Sequence, residues 1–266
     1  LVIFLISGGA SALFCSPLDG ISFNEKQKIN NELLKSGASI DQMNIVRQSI
    51  SAVKGGRLLE LIKPSKCITY GISDIPGDDP SFIGSGPTIY SNNDPNKLFE
   101  ILDNYQIKIS KEILSIIKTN LLPKGINENF HLIASPMKAL KAASNLAKKI
   151  GFLPIILSDK LEGDASKEGE RMANLALKIK KEKRYKNIFL EKPILLLSGG
   201  ETTVKVNGLG KGGRNSEFAL SMVNTLKGNK NILGLSIDTD GIDGSEDNAG
   251  AFFSYETFLN SKKLNL

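Results

Sequence analysis

The residues of this chain that could do chemistry sit in glycine-rich turns behind apolar runs. Residues 194–217 read ILLLSGGETTVKVNGLGKGGRNSE, so one apolar run leads into Ser198-Gly199-Gly200 and a second glycine cluster ends in Gly212-Gly213-Arg214. Turns without side chains bring backbone N–H groups up to an anion. The chain opens the same way, with LVIFLI running into Ser7-Gly8-Gly9-Ala10-Ser11. Two Ser-Gly-Gly turns, each at the carboxyl end of a buried strand, read as two half-sites facing one phosphorylated ligand. The candidate phosphate contacts in the first turn are Ser7, Gly8, Gly9 and Ser11. In the second stretch they are Ser198, Gly199, Gly200, Glu201, Thr202, Gly212, Gly213 and Asn215.

Arg214 precedes an apolar stripe of Phe218, Met222 and Leu226, which places it at the N-terminal end of a helix beside the glycines. A guanidinium next to free helix N–H groups binds phosphate or carboxylate strongly. The competing reading is a surface arginine beside a loop. Acidic residues form the other constellation, Asp238-Thr239-Asp240-Gly241-Ile242-Asp243-Gly244, after the run ILGLSI. An EF-hand is excluded, because Ile242 occupies a ligand position and Ala249 stands where the bidentate glutamate belongs. Asp240 and Asp243 either hold Mg2+ with the help of water, as phosphoryl-transfer sites do, or cap a turn. Asp78 in the pair Asp78-Asp79 carries the same two readings. Arg47, Lys54 and Arg57 put cations beside the first half-site, for recognition of a substrate carboxylate or as a solvated helix end.

Other chemistries are excluded or weakened. Gly208-x-Gly210-x-x-Gly213 has the form of a dinucleotide fingerprint, but TTVKV before it alternates as a half-exposed strand does, and Leu233 stands where an acidic residue belongs. No Gly-Lys-Ser/Thr occurs, so there is no Walker A loop. With His131 as the single histidine, a Ser-His-Asp triad cannot be assembled. The net charge of +6 rests on scattered lysines with 6% aromatic residues and no Trp, which suits anionic small molecules and argues against nucleic acid. No apolar run reaches the roughly 20 residues of a membrane span. Two cysteines without paired spacing point to a reduced, cytoplasmic setting with neither zinc nor a disulfide framework.

These residues need elements to position them. The 266 residues, 41% hydrophobic, leave room for two domains. Ser22 with Glu25 and Ser39 with Gln42 fit capping boxes, and Gly37 fits a helix C-terminus. CITYGIS, HLIAS and FLPIILS read as strands, with helices over 95–104, 110–120, 137–150 and 164–183. Strands spaced by helices imply parallel sheets, with ligands beyond their carboxyl ends. Residues 184–193, RYKNIFLEKP, read as a linker to strands 194–198 and 202–206, helix 215–227 and strand 231–237. An opening on an apolar strand without Met reads as a fragment whose upstream segment is missing.

The motifs SGGASAL, MNIVRQSISAVKGGRL, ISDIPGDDPSFIGSGPT, LSGGETTV, GKGGRNSEFAL and DTDGIDG together resemble the glycerate 2-kinase family, in that family's order across nearly the whole chain. The resemblance implies an α/β fold, with a Rossmann-like parallel-sheet domain over 1–183, truncated at its N-terminus. A smaller α/β domain of MOFRL type follows over 188–266, truncated at its C-terminus. It implies ATP-dependent phosphorylation of D-glycerate to 2-phosphoglycerate, with Mg2+, in a cleft between the two domains. The family's glycine-loop arginine falls on Arg214. The catalytic candidates are then Arg214, Asp240 and Asp243, with Asp240 and Asp243 also the metal candidates and Arg47, Lys54, Arg57 and Asp78 facing the substrate. The expected partners are D-glycerate and ATP, with no nucleic acid or membrane. The family's active-site lysine belongs to the missing segment, so the chain alone is expected to be catalytically incomplete. Two other classes stay open: an NAD(P)-dependent hydroxypyruvate reductase, a name that some relatives carry, and a non-catalytic module binding sugar acids or nucleotides.

Overall fold

Local bonds place the first elements. Strand β1 (Val2–Ile6) runs into a turn at Gly9, whose left-handed backbone (φ 79°) opens the short helix α1 (Ala10–Leu13). Helix α2 (Phe23–Ser36) starts where the Ser22 hydroxyl accepts the Glu25 N–H at 3.2 Å and Glu25 Oε2 accepts the Ser22 N–H at 2.8 Å. Gly37, also left-handed, ends it. Ser39 and Gln42 repeat the box for α3 (Ile40–Ser49). Both starts fall where the sequence predicts, because each side chain bonds within its own first turn. Then come α4 (Arg57–Leu61), β2 (Cys67–Ile72), α5 (Pro95–Asn104), α6 (Lys111–Thr119), β3 (Phe130–Ala134) and α7 (Pro136–Lys149).

The computed structural model describes residues 1–266 apart from 74, 76, 92, 93, 127, 128, 190, 209, 246 and 266. It divides into two compact units, Leu1–Ala139 and Leu140–Leu266. In the first, β1, β2 and β3 form a parallel sheet in that order, with Ile3 opposite Ile68 and Thr69 opposite Phe130. Its largest buried cluster is helical: Ile29, Leu33, Ile45, Val46 and Ile50 pack with Leu98, Ile101, Ile113 and Ile117. The expectation of a fully buried β1 is corrected. Ile3 and Leu5 are 56% and 79% exposed, so the strand covers one face only. A short apolar run carries no record of which of its two faces will be covered.

The second unit holds β4 (Leu153–Asp164), α8 (Ala165–Glu182), a small hairpin of β5 (Arg184–Tyr185) and β6 (Ile188–Phe189), β7 (Ile194–Thr203), α9 (Arg214–Leu226), β8 (Gly234–Ile237), β9 (Gly250–Phe253) and α10 (Tyr255–Lys263). Strands β4 and β7 are parallel, as expected for strands spaced by a helix, whereas β8 pairs antiparallel with β9, a strand that the sequence reading did not identify. Helices α8 and α9 meet at Gly169, where a Cβ would stand 2.5 Å from the Phe218 carbonyl oxygen. Ala173, Ala219, Met222, Val223, Leu226 and Phe253 form the buried cluster there. Among the described residues no helix is long and apolar enough to cross a membrane.

A further correction concerns Ser198-Gly199-Gly200. These residues form no turn; they lie inside β7, whose pairing with β4 continues through Asp164 opposite Thr203. The register shifts between Ser158 and Leu161, and Gly200 (φ 145°) lies so close to Leu161 that a Cβ would meet its backbone at 2.2 Å. The glycine thus serves close approach of two strands. Gly200→Ala is expected to destabilise the protein by about 3 kcal/mol in denaturant unfolding. Gly210→Ala, where a Cβ would meet nothing within 4 Å, is the control expected to leave the midpoint unchanged.

Candidate functional site

In the second unit the site is built around the start of α9. Gly213 caps the helix with extended backbone and offers no side-chain acceptor to the first free N–H groups. The acceptor comes from Asp243, which is fully buried. One carboxylate oxygen accepts the Asn215 N–H at 2.8 Å and Asn215 Nδ2 at 3.3 Å, and the other accepts the Ser216 N–H at 2.8 Å and Ser216 Oγ at 2.6 Å. Burial pushes the Asp243 carboxyl up, but the bonds from Ser216 and Asn215 together outweigh it and hold the group below its usual range. The loops touch so closely that only glycine fits: a Cβ on Gly213 would stand 2.4 Å from the Asp243 backbone, and one on Gly244 would stand 2.5 Å from the Gly212 carbonyl oxygen.

Arg214, the first residue of α9, is held as a fork. Its Nη2 and Nε donate to Asp238 Oδ2 at 2.9 and 3.2 Å, and its Nη1 donates to Glu201 Oε1. The bond to Asp238 is the main reason its basicity is raised further. The Asp238 side chain is 16% exposed and the Glu201 side chain 65%, so one arm of the fork is anchored and the other lies in solvent. Asn215 Oδ1 accepts the Ser236 hydroxyl at 2.7 Å. Thr202 is buried, and the Ser198 hydroxyl is buried with no partner among the described residues. Asp240 is exposed, and its Oδ1 accepts the Ile242 N–H at 2.9 Å in a tight turn. No group of three or more His, Cys, Asp or Glu is placed to hold a metal among the described residues.

In the first unit Ser7, Gly8 and Gly9 form an exposed turn before α1. Ser11 Oγ lies 2.8 Å from Ser85 Oγ, which donates onward to Asn44 Oδ1 at 2.8 Å. Lys54 is 1% exposed and donates to the carbonyls of Ser11 and Gly84, both at 2.9 Å. Burial, aided by the charges of Lys26 and Arg47, brings its ammonium down to about 8. Arg57 spends its guanidinium on the carbonyls of Gln48, Ser51 and Asn120, clamping three chain segments, and burial lowers it to about 10. Arg47 Nε donates to Asn30 Oδ1 at 2.8 Å. Asp78 takes a left-handed backbone (φ 56°), and its Oδ1 is buried without a partner among the described residues.

The structure therefore joins Glu201, Gly212, Gly213, Arg214, Asn215 and Asp243 in one cluster, and Ser11 with Lys54 in another. Sequence reasoning named Asp238 in the acidic run without giving it a role, and missed Ser85 and Lys26. The run Gly84-Ser85-Gly86 carried a signal in its spacing, and both glycines take left-handed backbone; Lys26 carried none that differs from a surface charge.

Residues 1–118 match the family described as Domain of unknown function (DUF4147), and residues 194–266 match the MOFRL family. A D-glycerate 2-kinase from Thermotoga maritima is 40% identical, over 99% of this chain and 62% of its own length. A solved glycerate kinase structure from that organism aligns with a TM-score of 0.88 at 39% identity, over 99% of this chain and 63% of the other. A relative from Agrobacterium vitis named for hydroxypyruvate reductase is 42% identical, over 97% of this chain and 59% of its own length. A glycerate kinase from Macaca fascicularis is 30% identical, over 96% of this chain and 76% of its own. The chain thus spans about three fifths of the length of most of these relatives. Identity of this extent, with both family matches in order, places the chain in the glycerate 2-kinase family.

Proposed function

We propose that the protein transfers the γ-phosphoryl group of ATP to the 2-hydroxyl of D-glycerate, giving 2-phosphoglycerate. The observation that carries this reading is the fork of Arg214 at the start of α9 beside the glycines of 208–213. Asp243 takes the helix N–H groups of Asn215 and Ser216, so the group offered to a transferring phosphoryl group is the guanidinium, held in a fixed plane beside bare glycine backbone. Asp238 keeps the guanidinium plane fixed, whereas the solvent-exposed Glu201 arm is the weaker pair and yields to an incoming phosphate. In the same reading 1–183 forms the Rossmann-like domain and 188–266 the MOFRL-like one. Ser7 to Ser11 contribute backbone N–H groups, and Arg47 and Lys54 face the substrate carboxylate. Positioning and charge neutralisation supply most of the rate, since phosphoryl transfer asks little covalent chemistry of the protein.

Mg2+ fits this site in one limited way. Asp243 has all its acceptor positions filled and Asp238 is ion-paired, which leaves Asp240 as the acidic-turn carboxylate able to hold the ion together with water and nucleotide phosphates. When bound, the ion neutralises charge on the nucleotide phosphates. Asp243 instead fixes the loop that carries Arg214. Cys15 and Cys67 are free thiols, in keeping with a cytoplasmic setting. The reductase reading draws on the Agrobacterium vitis name. Its fingerprint glycines follow four non-strand residues after Thr203 and lack the strand-to-helix turn a dinucleotide needs.

Incubation of the whole protein, at the length of its relatives, with ATP, Mg2+ and D-glycerate, and separately with NADH and hydroxypyruvate, tests the proposal: 2-phosphoglycerate in the first and no NADH oxidation in the second is the expected pair. NADH consumption without phosphorylation would decide for a reductase. Arg214→Lys is expected to lower kcat/KM by about 100-fold or more, because a point charge cannot replace a planar fork; wild-type kinetics in a folded variant would remove Arg214 from the site. Asp240→Asn and Asp243→Asn should separate. The first is expected to raise the Mg2+ concentration needed for half-maximal rate while changing stability by less than about 0.5 kcal/mol. The second should cost about 2 kcal/mol or more in thermal or denaturant unfolding.

A further inference from the structure

The first unit draws cations out of water, wholly or in part, with no carboxylate paired to them among the described residues. Lys26, in the first turn of α2, is 9% exposed, and its Nζ makes no hydrogen bond among the described residues. Asn30, one helical turn on and on the same face of α2, accepts from Arg47 Nε, which brings Arg47 of α3 to that face. The two Nη groups of Arg47 make no bond among the described residues. Lys54 spends two of its three N–H groups on the carbonyls of Ser11 and Gly84, leaving one. The segment carrying Cys15 joins them: the Ser16 carbonyl accepts the Ala52 N–H at 2.9 Å and the Ser51 hydroxyl at 3.1 Å, and Pro17 bridges to Ser51, just before Lys54. Lys26 and Arg47 both act on the charge of Lys54, and Cys15 acts on both lysines. No carboxylate is ion-paired with Lys26, Arg47 or Lys54 among the described residues.

Gathering like charges away from water is costly unless an anion joins them. Arg57 shows the alternative in the same unit, a buried cation whose two Nη groups make three bonds to carbonyl oxygens. Lys26 is not treated that way. We infer that Lys26 completes, with Arg47 and Lys54, an oxyanion pocket that takes the carboxylate of the 2-hydroxy acid, the ammonium of Lys26 and the guanidinium of Arg47 donating to its two oxygens. This rests on the kinase reading for the identity of the acid. The site itself stands on the unpaired cations. Glycerol, which has the hydroxyls and lacks the carboxylate, should not bind there, and inorganic phosphate is the competing oxyanion.

Calorimetric titration of D-glycerate into the wild type and Lys26→Met tests the assignment. The variant is expected to bind D-glycerate about tenfold more weakly, with KM for D-glycerate raised alike and KM for ATP unchanged. Its thermal midpoint should not fall, because an unpaired buried charge has been removed. A second measurement needs no variant: alkylation of Cys15, followed by peptide mass with Cys67 as internal reference, should slow with D-glycerate and not with glycerol. D-glycerate affinity within about twofold of wild type in Lys26→Met, or an unprotected Cys15, overturns the pocket. Protection by phosphate without protection by D-glycerate overturns the carboxylate assignment. Failure of the kinase reading is distinct from both, since it appears as absent 2-phosphoglycerate while the binding readouts are unchanged.

Discussion

Everything at the start of α9 hangs on the burial of one carboxylate. Asp243 takes two backbone N–H groups, an amide and a hydroxyl, and thereby closes a helix that Gly213 leaves uncapped. The exchange is favourable on both sides. A helix N-terminus presents partial positive charge and unspent donors, and a buried carboxylate needs both. Once that contact is made, the glycines at 212, 213 and 244 bring two loops to distances at which a Cβ would clash. Arg214 and Asp238 then stand on opposite sides of a rigid junction, and their ion pair follows from the backbone.

The two units handle cations differently. The second surrounds Arg214 with two carboxylates and keeps one of them in solvent, so the guanidinium is oriented without being sealed. An ion pair of this kind is weak on its exposed arm and firm on its shielded one, which suits a group that must meet an incoming anion in a fixed plane. The first unit takes Lys54 and Arg57 out of water and satisfies them with carbonyl oxygens. Dipoles can hold a charge in place without neutralising it. Lysine in such a setting loses part of its basicity, as Lys54 does.

What was legible in the sequence follows the range of the interactions. The starts of α2 and α3 were readable because Ser22, Glu25, Ser39 and Gln42 bond within four residues of one another. The place of Arg214 at a helix start was readable from the stripe of Phe218, Met222 and Leu226. Ser198-Gly199-Gly200 was misread as a turn, because a glycine that admits a neighbouring strand and a glycine that bends the chain look alike until Leu161 is in place. Asp243 could be read as a metal ligand or a turn cap, and its partners Asn215 and Ser216 lie 28 and 27 residues away. Lys26 is the extreme case, since a lysine in the first turn of a polar helix carries no mark of burial at all.

Residues that are costly to keep in the folded chain form their own guide to function. Stability is a small difference between large terms, so an unpaired buried ammonium is a measurable fraction of the whole. The capped helices, the glycine-fitted strands of β4 and β7 and the Asp243 junction all lower the free energy of the fold by satisfying what they bury. Among the described residues Lys26, one oxygen each of Gln48 and Asp78, and the Ser198 hydroxyl do the reverse. Asp78 and Ser198 lie in glycine-rich segments that chemistry alone had singled out, whereas burial alone marks Lys26, and a polar group left unsatisfied in a native fold calls for a reason outside packing.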